Sequence, residues 1–189
     1  MPKPPRAILI CCEGKTEKLY FESIMQAFRV KAAQIKVLGE KGQHKALIDR
    51  TLSERQVLAQ EYEIDEDEIV CWAVCDDDGM AMTFTQLNQY AESCGVKLAF
   101  SRPQFEAFLL QHFEQSREVN QDNLLANLSA YRQQYTSDGD CNYAKEDIGW
   151  IEDAIFNRPQ LASIAVTNSK LRKRSTESSF LQCTCCWSS

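Results

Sequence analysis

Hydrophobic positions recur along this chain in two rhythms. The runs Ala7-Ile8-Leu9-Ile10-Cys11-Cys12 and Ile69-Val70-Cys71-Trp72-Ala73-Val74-Cys75 carry no charge and no apolar/polar alternation. Each therefore predicts a strand buried on both faces. Ile35, Val37 and Leu38 predict another strand, and Val96-Lys97-Leu98-Ala99-Phe100 a fourth. Between these runs the spacing changes to that of helices. After Glu13-Gly14, Thr16 is placed to cap a helix whose buried face is Tyr20, Phe21, Ile24, Ala27 and Phe28. A long helix is expected over His44 to Tyr62, and another through Leu87 and Tyr90. Ser101-Arg102-Pro103 ends the fourth strand, after which Phe105, Phe108, Leu109, His112 and Phe113 form one apolar helical face. Strands alternating with helices predict an α/β sheet with parallel strands. Further helices are expected over 123–135 and 146–156. Beyond Lys170, Arg172, Lys173 and Arg174 the chain becomes Ser/Thr/Cys-rich with little periodicity.

The composition suits one globular domain, with 189 residues, 44% of them hydrophobic and 25% charged. A formal charge of -6 argues against nucleic-acid binding through a generally basic surface, although local basic groups and metal ions can still hold a phosphate. No apolar run approaches the roughly 20 residues of a membrane span, and the first residues do not read as a signal peptide, so a cytoplasmic protein with no membrane partner is expected. Nine cysteines are an odd number, and Cys11, Cys12, Cys71 and Cys75 fall inside predicted core strands, so reduced thiols are expected. Cys183, Cys185 and Cys186 offer one C-x-x-C spacing without the second ligand pair that structural zinc needs. The acidic stretch 61–68 reads as a solvated turn.

The most informative segment is Asp76-Asp77-Asp78-Gly79-Met80, which follows the buried third strand directly. Ligands bind at the carboxyl ends of parallel strands. Two carboxylates about 4 Å apart repel by roughly 4 kcal/mol at an effective dielectric near 20, so a proton or a cation must offset the crowding. The first strand also ends in a carboxylate, Glu13. If the two strands are neighbours, Glu13, Asp76 and Asp78 open onto one edge, with Asp77 pointing elsewhere by the alternation of an extended segment. Hard oxygen ligands of this kind suit Mg2+ or Mn2+.

Three motifs in order resemble the RloB-like family of Toprim proteins. Ile8-Leu9-Ile10-Cys11-Cys12-Glu13-Gly14-Lys15-Thr16-Glu17 with Tyr20-Phe21 is similar to its glutamate motif, and Asp76-Asp77-Asp78 to the Toprim D-x-D. Ser101-Arg102-Pro103-Gln104-Phe105-Glu106-Ala107-Phe108-Leu109-Leu110-Gln111-His112-Phe113 is similar to the family's S-N-P-x-F-E-x-W-x-x-x-H-F segment, with Arg102 for asparagine and Phe108 for tryptophan. Tyr143-Ala144-Lys145 is a weaker fourth match. The C-terminal segment expected of the family is not recognisable after about Val166, so residues 1–166 read as a single domain and 167–189 as a divergent, flexible tail.

The resemblance implies a Toprim-like parallel sheet with helices on both faces, followed by a helical C-terminal part. It also implies metal-dependent cleavage of RNA or DNA, with Glu13, Asp76 and Asp78 holding Mg2+ or Mn2+. Glu13 would serve also as a proton carrier, with Glu106 and Lys145 as further catalytic groups. By analogy it implies a role in antiviral defence and abortive infection beside an ABC-type or AAA ATPase partner. Bland readings stand beside these: Glu13 and Glu106 each sit where a carboxylate favours a helix start, Lys145 lies among polar residues, and His112 fits a hydrogen-bonded core histidine better than a base. Gly14-Lys15-Thr16 copies the end of a P-loop, but Leu9 stands where that motif needs glycine. Two other functions are weighed. One is a haloacid-dehalogenase-like phosphatase with Asp76 as nucleophile, opposed by Met80 in place of its threonine. The other is a Toprim-like module that binds an ATPase or nucleic acid without cutting.

Overall fold

The computed structural model describes residues 6–27, 34–40, 42–77, 80–136 and 142–175. Phe28, Asp78, Cys183, Cys185 and Cys186, each singled out by the sequence, lie outside them. The predicted strands form: β1 (Ala7–Cys12), β2 (Gln34–Leu38), β3 (Ile69–Asp76) and β4 (Val96–Ser101). They make one parallel sheet in the order β2-β1-β3-β4, with Cys12 beside Val74 and Asp76 beside Ser101.

Seven helices join and cover these strands among the described residues: α1 (Lys15–Ala27), α2 (His44–Tyr62), α3 (Phe84–Ser93), α4 (Glu106–Leu110), α5 (Gln121–Tyr135), α6 (Gly149–Asn157) and α7 (Gln160–Ser175). Alternate strand residues feed two cores. Leu9, Cys71, Ala73, Cys75, Leu98 and Phe100 pack against Leu47, Ile48 and Leu58 of α2 and Leu87 and Ala91 of α3. Cys12, Trp72, Val74 and Ala99 face the other way, against Tyr20 and Ile24 of α1 and Phe108, Leu124, Leu128 and Ile151 of α4 to α6. The sheet is therefore covered on both faces, which is why β1 and β3 read as continuous apolar runs. This is consistent with the expected Toprim-like arrangement.

The order β2-β1-β3-β4 has a functional consequence. The chain leaves β1 toward one side to reach β2, and β3 lies on the other side of β1, so the strand order reverses between β1 and β3. At such a point the connections diverge to opposite faces and leave a crevice at the carboxyl edge. Here α1 lies on one face and α2 and α3 on the other.

Several details differ from the sequence reading. Thr16 does not cap: the helix already begins at Lys15, and the Thr16 hydroxyl accepts from the Glu146 amide at 3.2 Å. The helix expected through Phe113 stops at Leu110 and continues as a turn. There the Gln111 side chain donates to Ala107 O and Ser116 O, both at 3.1 Å. The acidic stretch is exposed at Glu61, Glu63, Asp65 and Asp67, as expected, and forms ion pairs as well, with Glu61 paired to Lys36, Glu66 to Arg55 and Glu68 to Arg6 at 2.8, 2.8 and 3.3 Å. The boundary drawn at residue 166 falls inside α7, where Ala165 and Ser169 are both buried. Cys11, Cys12, Cys71 and Cys75 are buried thiols, as expected for small core residues. No helix among the described residues is long and apolar enough to cross a membrane.

Candidate metal centre

Glu13 and Asp76 meet at the crevice. The Glu13 amide donates to Val74 O at 2.9 Å, extending the β1 ladder by one residue. Its carboxylate turns back to the neighbouring strand, where Oε2 accepts from the Asp76 amide at 3.4 Å. Asp76, at an even position of β3, faces the same side as Trp72 and Val74 and so meets α1 and α4. The Phe105 amide donates to its carboxylate, but Oδ1 is buried with no hydrogen-bond partner.

Two further carboxylates close the space around it. Glu17, in the first turn of α1, is 5% exposed, and Glu106, opening α4, is 2% exposed. Burial pushes the Asp76 carboxyl up to about 8, reinforced by the charges of Glu17, Glu106 and Glu13 and opposed by the Phe105 amide. Burial likewise raises Glu17, with Glu106 and Glu13 adding and Lys145 opposing. Glu106 accepts from the Tyr143 hydroxyl at 3.4 Å, and burial together with the Glu106 charge holds that phenol well above its ordinary range. Lys145 is exposed, close enough to act on the charge of Glu17.

The chain around the cluster is shaped to keep these carboxylates in place. A side chain at Gly14 would put its Cβ 2.7 Å from Glu17 Oε2, so glycine there leaves room for the buried carboxylate. Asp77 points elsewhere, as the alternation predicts, and pairs with Arg102 at 2.8 Å. The arginine that replaces asparagine thus takes one of the three aspartates out of the crowd. His112 is a core residue: Nδ1 meets Leu109 O at 3.0 Å, Nε2 meets Tyr20 Oη at 2.9 Å, and burial lowers the ring to about 4.

The structure therefore brings together Glu13, Asp76 and Glu106 from the sequence-expected set, with Lys145 at the margin and Asp78 outside the described residues. Glu17 received no role from sequence, although its place four residues after Glu13, in the first turn of a helix, was a usable signal. Among the described residues no three carboxylate, histidine or cysteine groups stand close enough together to enclose an ion. The donor chemistry nonetheless fits a hard divalent cation: an unpartnered buried carboxylate oxygen lies in a concentration of negative charge that a cation would offset.

Comparisons with curated proteins and with solved structures each return no match. A family model described as RloB-like protein matches residues 8–186, running well past Val166. The chain belongs to the RloB-like protein family.

Proposed function

We propose that this protein is a metal-dependent nuclease that hydrolyses phosphodiesters of RNA or DNA, working with an ABC-type or AAA ATPase in antiviral defence. The observation that carries the chemistry is the placement of Glu13 and Asp76 on the two strands that flank the reversal of strand order. Catalytic groups concentrate at such crevices, where the chain ends its strands and substrates can enter. The ATPase partner and the defence role rest on the family resemblance.

In this reading Glu13 and Asp76 hold Mg2+ or Mn2+, with Asp78 as a further ligand. Bound there, the ion would offset charge on a phosphoryl oxygen and lower the pKa of a water. Glu13 is the proton acceptor, since it ends β1 beside Asp76 at the open edge of the sheet. Glu17, 5% exposed and with a carboxyl that holds its proton to higher pH than usual, acts through its charge on Asp76 and not on the substrate. Lys145 faces the negative charge of the phosphate from the rim. Glu106 is too deeply buried to touch a substrate, so it acts by setting the field on Asp76 and is a positioning residue.

The decisive experiment incubates purified protein, alone and with its cognate ATPase, with single- and double-stranded RNA and DNA in Mg2+, Mn2+ or chelator. Metal-dependent cleavage that Asp76→Asn abolishes is the expected result. No cleavage of any substrate would overturn the reading. One observation favours a second reading, a non-catalytic module of an ATPase complex: the described residues alone do not complete a three-ligand site. Stable ATPase association without cleavage would select it. A generic phosphate ester tests the phosphatase alternative, which Met80, standing where that family has threonine, opposes.

A further inference from the structure

The loop between β2 and α2 reaches the same carboxyl edge of the sheet, and its backbone is unusual. Glu40, Gly42 and His44 all have positive φ, of 56°, 99° and 46°. Glycine adopts this region freely, whereas a residue with a Cβ is held there against steric strain. Strain of this kind persists where surrounding contacts fix it, and it clusters at functional sites. At His44 the contact is visible: Nε2 lies 3.1 Å from Asp76 O.

We propose that His44 is a positioning residue for the metal centre, clamping the last residue of β3 from the face opposite α4. A carbonyl oxygen only accepts, so Nε2 carries the proton and donates to it. Asp76 is then gripped at three atoms. Its amide donates to Glu13 Oε2, its carbonyl accepts from His44, and its carboxylate accepts from the Phe105 amide. The first and third contacts come from β1 and the start of α4. The second comes from α2, on the other face of the sheet, and acts on the Asp76–Asp77 peptide, whose amide donates to Ser101 O at 3.0 Å; without His44 that peptide is held from the β4 side alone.

The geometry explains why a side chain tolerates this backbone position. Glycine would relieve the strain but could not reach the carbonyl. Groups that orient metal ligands typically change affinity by about 10- to 100-fold when removed. A residue whose removal relieves backbone strain while loosening the metal has a signature that an ordinary structural contact lacks: stability and affinity move apart.

This inference rests on the metal reading of Glu13 and Asp76, and its test separates the two. Mn2+ is titrated by calorimetry into the native protein, His44→Gly, His44→Gln and His44→Asn, and each thermal midpoint is measured without metal. For His44→Gly the expected result is a loss of Mn2+ affinity of about 10-fold or more with a midpoint that is unchanged or higher. His44→Gln places an amide N–H at about the distance of Nε2 and should recover most of the affinity. His44→Asn, one bond shorter, should not. Native-like affinity in His44→Gly overturns the clamp while leaving the metal reading intact. Equal losses in the glycine and glutamine variants, tracking a fall in midpoint, overturn it as a merely structural effect. If the native protein binds no Mn2+, the metal reading fails and the clamp fails with it.

Discussion

Nε2 of His112 lies 2.9 Å from the Tyr20 hydroxyl, tying α1 to the turn that follows α4 in a fully buried contact. These two helices carry Glu17 and Glu106, so the bond fixes the spacing of the carboxylates that press on Asp76. Nδ1 faces the Leu109 carbonyl and must donate; Nε2 of the neutral ring then accepts the tyrosine O–H. A second proton would place a charge in the core and turn this acceptor into a donor.

The pH dependence follows. The folded ring is lowered to about 4 from an ordinary 6.5, so the unfolded chain binds the proton first as pH falls. The associated stability is fully present above 6.5 and is lost between 6.5 and 4, by about 3 kcal/mol at most. Asp76 pulls the other way over the whole of that range, because its folded carboxyl, raised to about 8 from 3.8, keeps a proton that the unfolded one releases. Urea unfolding at pH 7.5 and 4.5 should therefore be compared between native protein and His112→Gln. The variant, less stable at pH 7.5, should lose less on acidification; equal losses would place the acid sensitivity elsewhere.

Asp76→Asn should have opposite effects with and without metal. Asparagine needs no proton to enter this crowd of carboxylates, whereas Asp76 must take one up on folding at neutral pH, so the metal-free midpoint should rise by several degrees. Millimolar Mn2+ should raise the native midpoint and leave that of the variant nearly unmoved, since an ion that binds only the folded state stabilises it. An equal upward shift in both would put the ion at another acidic site, such as 61–68.

Most of the fold was legible because β1 and β3 are covered on both faces and their sequences say so without interruption. The 19-residue α2 was legible in its bounds as well, since polar residues separate it from both flanking strands. By contrast, α7 was not seen. Its buried positions include Leu161 and Ala165 but also Ser169, and Ser169 is no hydrophobic signal. In the site, Glu13 and Asp76 were found because they end apolar runs. Glu17 and His44 were not, because their importance comes from what lies across the sheet edge: Glu106 and Asp76 for the first, Asp76 O for the second.

The packing of α7 gives a direct test. Asn168 Nδ2 donates to the carbonyl of buried Gln111 at 2.9 Å, joining α7 to the segment just after α4. Asn168→Ala leaves that carbonyl unpaired and should cost about 1 to 2 kcal/mol in chemical denaturation. Ending the chain at Asn168 should cost more, as it also removes the buried Ser169 and the last turns of the helix. A truncated protein as stable as the full chain would show that this end of α7 adds nothing to the fold.

Gly14→Ala tests whether glycine is needed for the site or only for the turn. The new methyl group would come 2.7 Å from Glu17 Oε2, and the carboxylate, being the end of a flexible side chain, is what gives way. The fold should survive with a small change in midpoint, while the field on Asp76 weakens as Glu17 moves off. Nuclear magnetic resonance of the Asp76 carboxyl carbon should then show it titrating at lower pH than in the native protein. An unchanged titration would mean that Glu17 keeps its place and that the glycine serves the turn alone.

Glu13→Gln separates holding the strand from handling the proton. The amide oxygen can still accept from the Asp76 N–H, as Oε2 does at 3.4 Å, so the junction of β1 and β3 should persist with little change in thermal midpoint. What disappears is the negative charge and the group that takes a proton from water. Metal-dependent cleavage should fall by roughly 10²-fold or more, the usual scale for a positioned acid or base, with nucleic-acid binding changed far less. Asp78→Ala should instead weaken the metal site, so that raising the metal concentration recovers part of its activity. A Glu13→Gln protein that cuts as fast as the native chain would remove Glu13 from the chemistry and leave it a structural link between the two strands.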